Sequence, residues 1–111
     1  MIFKIKKGSA RPRMRVSLVD DEGAAIDLTG VSSAYVNVAE EFDTPSGSLI
    51  IRKALTVETP ATLGLLTANW LSSDTAVPPK TYKGQVEVVF PDGQTGIWGD
   101  ITFIIEGRIK Q

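Results

Sequence analysis

A chain of 111 residues and 12.0 kDa, 42% hydrophobic and 23% charged, has the size and composition of one globular domain over 1–111. That excludes a disordered chain and a membrane-spanning composition. Cysteine and histidine are both absent, which removes disulfides, thiolate and imidazole metal ligands, and every Ser-His or Cys-His nucleophile pair. The net charge of −1 hides an asymmetry between the ends of the chain.

The opening Met1–Gly8 reaches a charge at Lys4 and lacks the apolar run of roughly 7 to 15 residues that a signal peptide needs, so synthesis and assembly in a cytoplasm are expected. Half of the 12 basic residues, Lys4, Lys6, Lys7, Arg11, Arg13 and Arg15, lie in the first 15 positions with no acid among them. The remaining residues carry all 13 acids against six bases, a balance of −7. Two readings of the basic stretch stand side by side. It is an edge strand whose Lys and Arg repel unwanted pairing, or a docking edge for an acidic neighbour, which includes a second copy of the chain. On the second reading Lys4, Lys6, Arg11, Arg13 and Arg15 are the candidate contacts, with the arginines aligned on one side of an extended segment.

Further along, period-two alternation broken by turn residues dominates and helical periodicity is hard to find. Met14, Val16 and Leu18 form an apolar face against Arg13, Arg15 and Ser17, and Asp20-Asp21-Glu22-Gly23 closes a hairpin-like turn. A short strand and corner is expected over Ile26–Gly30, and a third strand over Ser33–Ala39. Whether Ala34, Val36 and Val38 or Tyr35 and its neighbours are buried in it is ambiguous, with the valines favoured. Glu40–Gly47 reads as a loop, Ser48–Leu55 as a strand and Leu63–Trp70 as another, buried on at least one side. Ser72–Ala76 has the residues to cap one helical turn before Pro78-Pro79 ends it. Tyr82, Gly84, Val86, Val88 and Phe90 then share one face of the clearest strand, Pro91-Asp92-Gly93-Gln94 makes a turn, and the last strand groups Ile101, Phe103, Ile105 and Ile109. Seven or eight strands on short links fit an all-β, immunoglobulin-like antiparallel sandwich. Its core is expected to include Val16, Leu18, Val86, Val88, Phe90, Phe103 and Ile105.

Candidate chemistry is sparse. Asp20, Asp21, Glu22 and Asp27 offer oxygen ligands but lack the Asp-x-Asp-x-Asp-Gly ladder of a helical calcium loop, so a solvated turn is expected and no metal. Gly93, Gly96 and Gly99 neither follow a parallel strand nor open a helix, as phosphate cradles require. Trp70 reads as core, whereas Trp98 is the candidate ligand-facing aromatic, able to stack on a sugar ring. A pI near 5.3 argues against nucleic acid as a partner. No catalytic residue, no cofactor and no membrane partner are expected.

The order of several motifs resembles a known family. Lys7-Gly8-Ser9-Ala10-Arg11-Pro12, Leu18-Val19-Asp20-Asp21-Glu22-Gly23 and Ile26-Asp27-Leu28-Thr29-Gly30, followed by Leu66-Thr67-Ala68-Asn69-Trp70, Ser73-Asp74-Thr75-Ala76 and Tyr82 to Gly93, resemble the N-terminal domain of phage baseplate upper proteins (the BppU-type family) over nearly the whole chain. The resemblance implies an Ig-like structural virion protein of a phage or prophage, a tail or baseplate component that docks on other tail proteins and is assembled in the host cytoplasm. A carbohydrate-binding or adhesive β-sandwich module, meeting its ligand through Trp98 and the loops, is the alternative.

Overall fold

The computed structural model describes residues 1–42 and 49–109. Among them are eight strands: β1 (Ile2–Lys6), β2 (Met14–Ser17), β3 (Ser33–Ala39), β4 (Ile51–Ala54), β5 (Thr56–Val57), β6 (Leu65–Ala68), β7 (Lys80–Val89) and β8 (Thr95–Glu106). A five-stranded sheet in the order β1-β8-β7-β3-β4 faces a three-stranded sheet in the order β2-β6-β5. Because β2 pairs with β6 in one sheet while β3 pairs with β7 in the other, the sheets interlock as in immunoglobulin-like sandwiches.

Alternation along the strands builds the core. On β1 Phe3 and Ile5 point inward while Ile2, Lys4 and Lys6 are exposed, and on β2 Met14 and Val16 alternate with Arg15 and Ser17. Strand β3 buries Ala34, Val36 and Val38 and leaves Tyr35 half-buried, which settles the ambiguity of that strand in favour of the valines. These residues join Leu28, Leu66, Trp70, Tyr82, Val86, Val88, Ile101, Phe103 and Ile105 in one apolar cluster. Each large aliphatic side chain removed from water contributes about 1.5–3 kcal/mol against the ordering entropy.

Two local devices shape the frame. Near the start of β7, the Tyr82 hydroxyl donates to the Pro78 carbonyl at 2.6 Å while its ring is fully buried. This is the tyrosine corner of Ig-like domains, which gives a buried phenol its partner and fixes the entry of the strand. Between the Gly84–Ile101 and Val86–Trp98 pairs, Gly99 and Asp100 oppose Gln85 alone, and Gly99 has φ of 62°. The extra residue is a β-bulge, which bends β8 and re-aims Trp98.

Several expectations are corrected. Ile26–Gly30 forms no strand: Asp27 Oδ1 accepts from both the amide and the hydroxyl of Thr29, and only Val19 and Ala25 form a β-bridge nearby. A side chain bonding its own backbone in this way competes with a sheet ladder. Ser72–Thr75 is a hydrogen-bonded turn rather than a helical one, with Leu71 N donating to Asp74 Oδ2 and Asp74 N to the Leu71 carbonyl. Phe90, just past the end of β7, is only half-buried, and Ile109 is 92% exposed because β8 ends at Glu106. The strand expected from Ser48 begins at Ile51. Most of the Glu40–Gly47 loop, and Ser48, lie outside the described residues.

Candidate functional site

The basic N-terminal stretch does not form one strand. Lys4 and Lys6 lie on β1, which runs parallel to β8 at the edge of the large sheet, and Arg15 lies on β2 at the edge of the small sheet. Arg11 and Arg13 occupy the link that crosses from one sheet to the other. Two of the five candidate contacts are already engaged. The Lys6 ammonium is 3.4 Å from Glu106, and the Arg15 guanidinium forks onto Glu58 with contacts of 3.0–3.2 Å. The Thr67 hydroxyl beside Glu58 and the Arg15 guanidinium hold that carboxyl below the ordinary carboxylate range, with the Arg13 charge adding to the effect.

Arg11 and Arg13 have no ion pair among the described residues, and with Ala10, Asn69 and Trp70 they line an open cleft of about 390 Å³. The loop is positioned from both sides. Thr75 Oγ1 donates to the Ser9 carbonyl at 2.7 Å, Gly8 N to the Thr75 carbonyl at 3.1 Å, and Ser9 Oγ to the Arg11 carbonyl at 2.7 Å. Trp70 is 4% exposed, packs its ring on Phe3 and Phe103, and has a buried indole N–H with no acceptor among the described residues. Every polar side chain on this wall can donate a hydrogen bond, and two of them are cationic.

The strand registers give the molecule two chemically different ends. Loops 7–13 and 69–79 and the segment after β8 gather at the Lys6 and Glu106 end, where Lys7, Arg11, Arg13 and Arg108 lie. Of the acids at this end among the described residues, Glu40 pairs with Lys80 at 2.6 Å, Asp74 with Lys53 at 2.7 Å and Glu106 with Lys6 at 3.4 Å, and Glu41 follows Glu40 in the chain. Burial pushes the Asp74 carboxyl up, but Lys53 and the Leu71 amide outweigh it and leave it lowered. Loops 18–32, 58–64 and 90–94 gather at the opposite end and contain Asp20, Asp21, Glu22, Asp27, Glu58 and Asp92, with no Lys or Arg. Asp20 Oδ1 accepts from the Glu22 and Ala24 amides at 2.9 Å, so it shapes its own turn. No group of three or more potential metal ligands occurs among the described residues.

Trp98 sits elsewhere, half-buried on β8. It meets Phe90 edge-on at 5.9 Å between ring centroids and forms part of a cleft of about 220 Å³ between the sheets with Met1, Val16, Leu18 and Ile101. The outer face of the large sheet holds a closed polar network. Arg52 lies 4.0 Å over the Tyr35 ring and donates to Asn37 Oδ1 at 2.9 Å and Glu87 Oε1 at 3.2 Å, which holds the Glu87 carboxyl below its ordinary range. Its donors and acceptors satisfy one another, which marks a structural network rather than a reactive one.

Asn69 and Trp70 are the site residues that sequence reasoning missed. They are remote in sequence from Arg11 and Arg13, and only the pairing of β2 with β6 brings them together.

No family model matches the chain, and no curated protein matches it. Among solved structures it is similar to CopC from Methylosinus trichosporium OB3b, with 12% identity and a TM-score of 0.50 over 97% of this chain and 86% of that one. A likeness of this degree concerns the β-sandwich fold alone.

Proposed function

We propose that this chain is a structural, non-catalytic protein of a phage or prophage virion, a tail or baseplate component that works by docking on neighbouring tail proteins. One observation carries the reading: among the described residues the unpaired Arg11 and Arg13 lie at one end of the Ig-like frame and the acidic loops at the other, rather than converging on an enclosed pocket. Charge arranged in this way steers and registers a protein partner, whereas catalysis needs a nucleophile, base or acid converging on a substrate. The resemblance of the motif order to that of phage baseplate upper proteins supports the same reading. A sugar-binding role would rest on Trp98, whose ring is already engaged by Phe90. The direct test is quantitative mass spectrometry of particles purified from the phage or prophage that encodes the chain. The expected result is the chain at a fixed stoichiometry to the tail proteins. Its absence from the particles, together with glycan retention abolished by Trp98→Ala, would replace this reading with the adhesive one.

A further inference from the structure

We infer that the cleft of Arg11, Arg13, Asn69 and Trp70 is a carboxylate-recognition site, and that its occupant is the acidic turn Asp20–Glu22 of a second copy, so that copies join head to tail. The inference rests on the docking role proposed above and names the chemistry of its contact. On the receiving side, two guanidinium groups that form no ion pair among the described residues share the cleft with Asn69 and the buried Trp70. A carboxylate supplies acceptors to the guanidinium and amide donors, and a guanidinium fork matches its two oxygens. On the entering side, Asp21 and Glu22 are exposed, form no ion pair among the described residues, and project from the end of the molecule that contains no Lys or Arg.

The two surfaces lie at opposite ends of β2: Arg13 immediately precedes Met14, and the acidic turn follows Ser17 within a few residues. A single copy therefore cannot satisfy its own cleft, and two copies joined by one contact leave one end of each kind free. Such a contact is heterologous and repeats until it closes into a ring or extends as a stack. Lys4 stands outside the cleft, on the exposed face of β1, and takes the edge-guarding role.

The test is sedimentation and light scattering of the full chain against concentration at low and high salt. Wild type is expected to gain mass with concentration at low salt, and to return to monomer as salt screens charges beyond about 10 Å at 0.1 M. Arg11→Ser/Arg13→Ser and Asp21→Asn/Glu22→Gln, both in exposed loops, should each stay monomeric. Mixed in equal amounts they should stop at a one-to-one dimer, because only one complementary pair of ends remains. Lys4→Ser/Lys83→Ser removes as much positive charge elsewhere and should associate like wild type. Circular dichroism verifies that each variant is folded. A monomeric wild type at every concentration, a mixture that grows beyond the dimer, or association lost in the Lys4/Lys83 control would overturn the inference. The phage reading fails separately, by absence of the chain from particles. A monomeric wild type whose binding to a purified tail protein is lost on Arg11→Ser/Arg13→Ser would keep that reading and refute self-docking.

Discussion

Removing the Phe103 ring tests whether the core that positions the cleft is assembled as described. Phe103 is fully buried on β8, with its ring 5.2 Å from that of Phe3 and 5.6 Å from that of Trp70. It therefore ties the edge strand β1 to the Trp70 wall. Phe103→Ala should cost about 3–5 kcal/mol, combining lost transfer energy, the cavity left behind and two aromatic contacts. Against a total stability of about 5–15 kcal/mol this is a large share. With a urea m-value of about 1–2 kcal/mol/M the midpoint should fall by about 1.5 M or more. The assay is urea unfolding followed by circular dichroism and tryptophan fluorescence. Phe90→Ala is the internal comparison: its ring is half-buried, so the loss should be about 1–2 kcal/mol. A Phe103→Ala loss no larger than that of Phe90→Ala would refute the description of this core.

Tyr82→Phe removes the donor to the Pro78 carbonyl and should destabilise by about 1–2 kcal/mol, measured by thermal unfolding, with little change in the folded circular dichroism spectrum. Gly64 has φ of 68°, and a Cβ there would stand 2.7 Å from the Leu18 carbonyl; Gly64→Ala should therefore cost more than the roughly 1 kcal/mol of backbone strain alone, seen as a fall in the urea midpoint. The Glu87 carboxyl is held low chiefly by Arg52. Its stabilising contribution is thus present above the unfolded-state value of about 4.3 and lost as pH falls through the lower folded value. Arg52→Leu should make stability fall less steeply with acid over that window, as read from urea midpoints at successive pH values.

What was legible in the sequence followed local periodicity. The inward faces of β2 and β7 follow period-two alternation, whereas that of β3 was ambiguous until the structure buried Ala34, Val36 and Val38; the Asp20–Gly23 and Pro91–Gln94 turns carry residues suited to their backbone, with φ of 84° at Gly23 and 86° at Gly93. Where local signals compete with tertiary ones the reading failed. Ile26–Gly30 looks like a strand, but its Asp27 side chain ties up the Thr29 amide. Phe90 and Ile109 keep the parity of buried positions, yet β7 and β8 end before them. Long-range features leave no local trace: the parallel pairing of β1 with β8, the bulge opposite Gln85, and the meeting of Arg11 and Arg13 with Trp70 all depend on how distant strands register. The basic stretch was visible as charge. Its division into paired residues on strands and free residues at a cleft was not.

The proposed tail or baseplate role is tested most directly by deleting the gene from the genome that carries it and examining the phage particles which that genome yields by electron microscopy. Deletion is expected to leave tails or baseplates incomplete, with complete particles restored by wild-type protein supplied in trans and not by Arg11→Ser/Arg13→Ser. Complete, infectious particles assembled without the chain would contradict it.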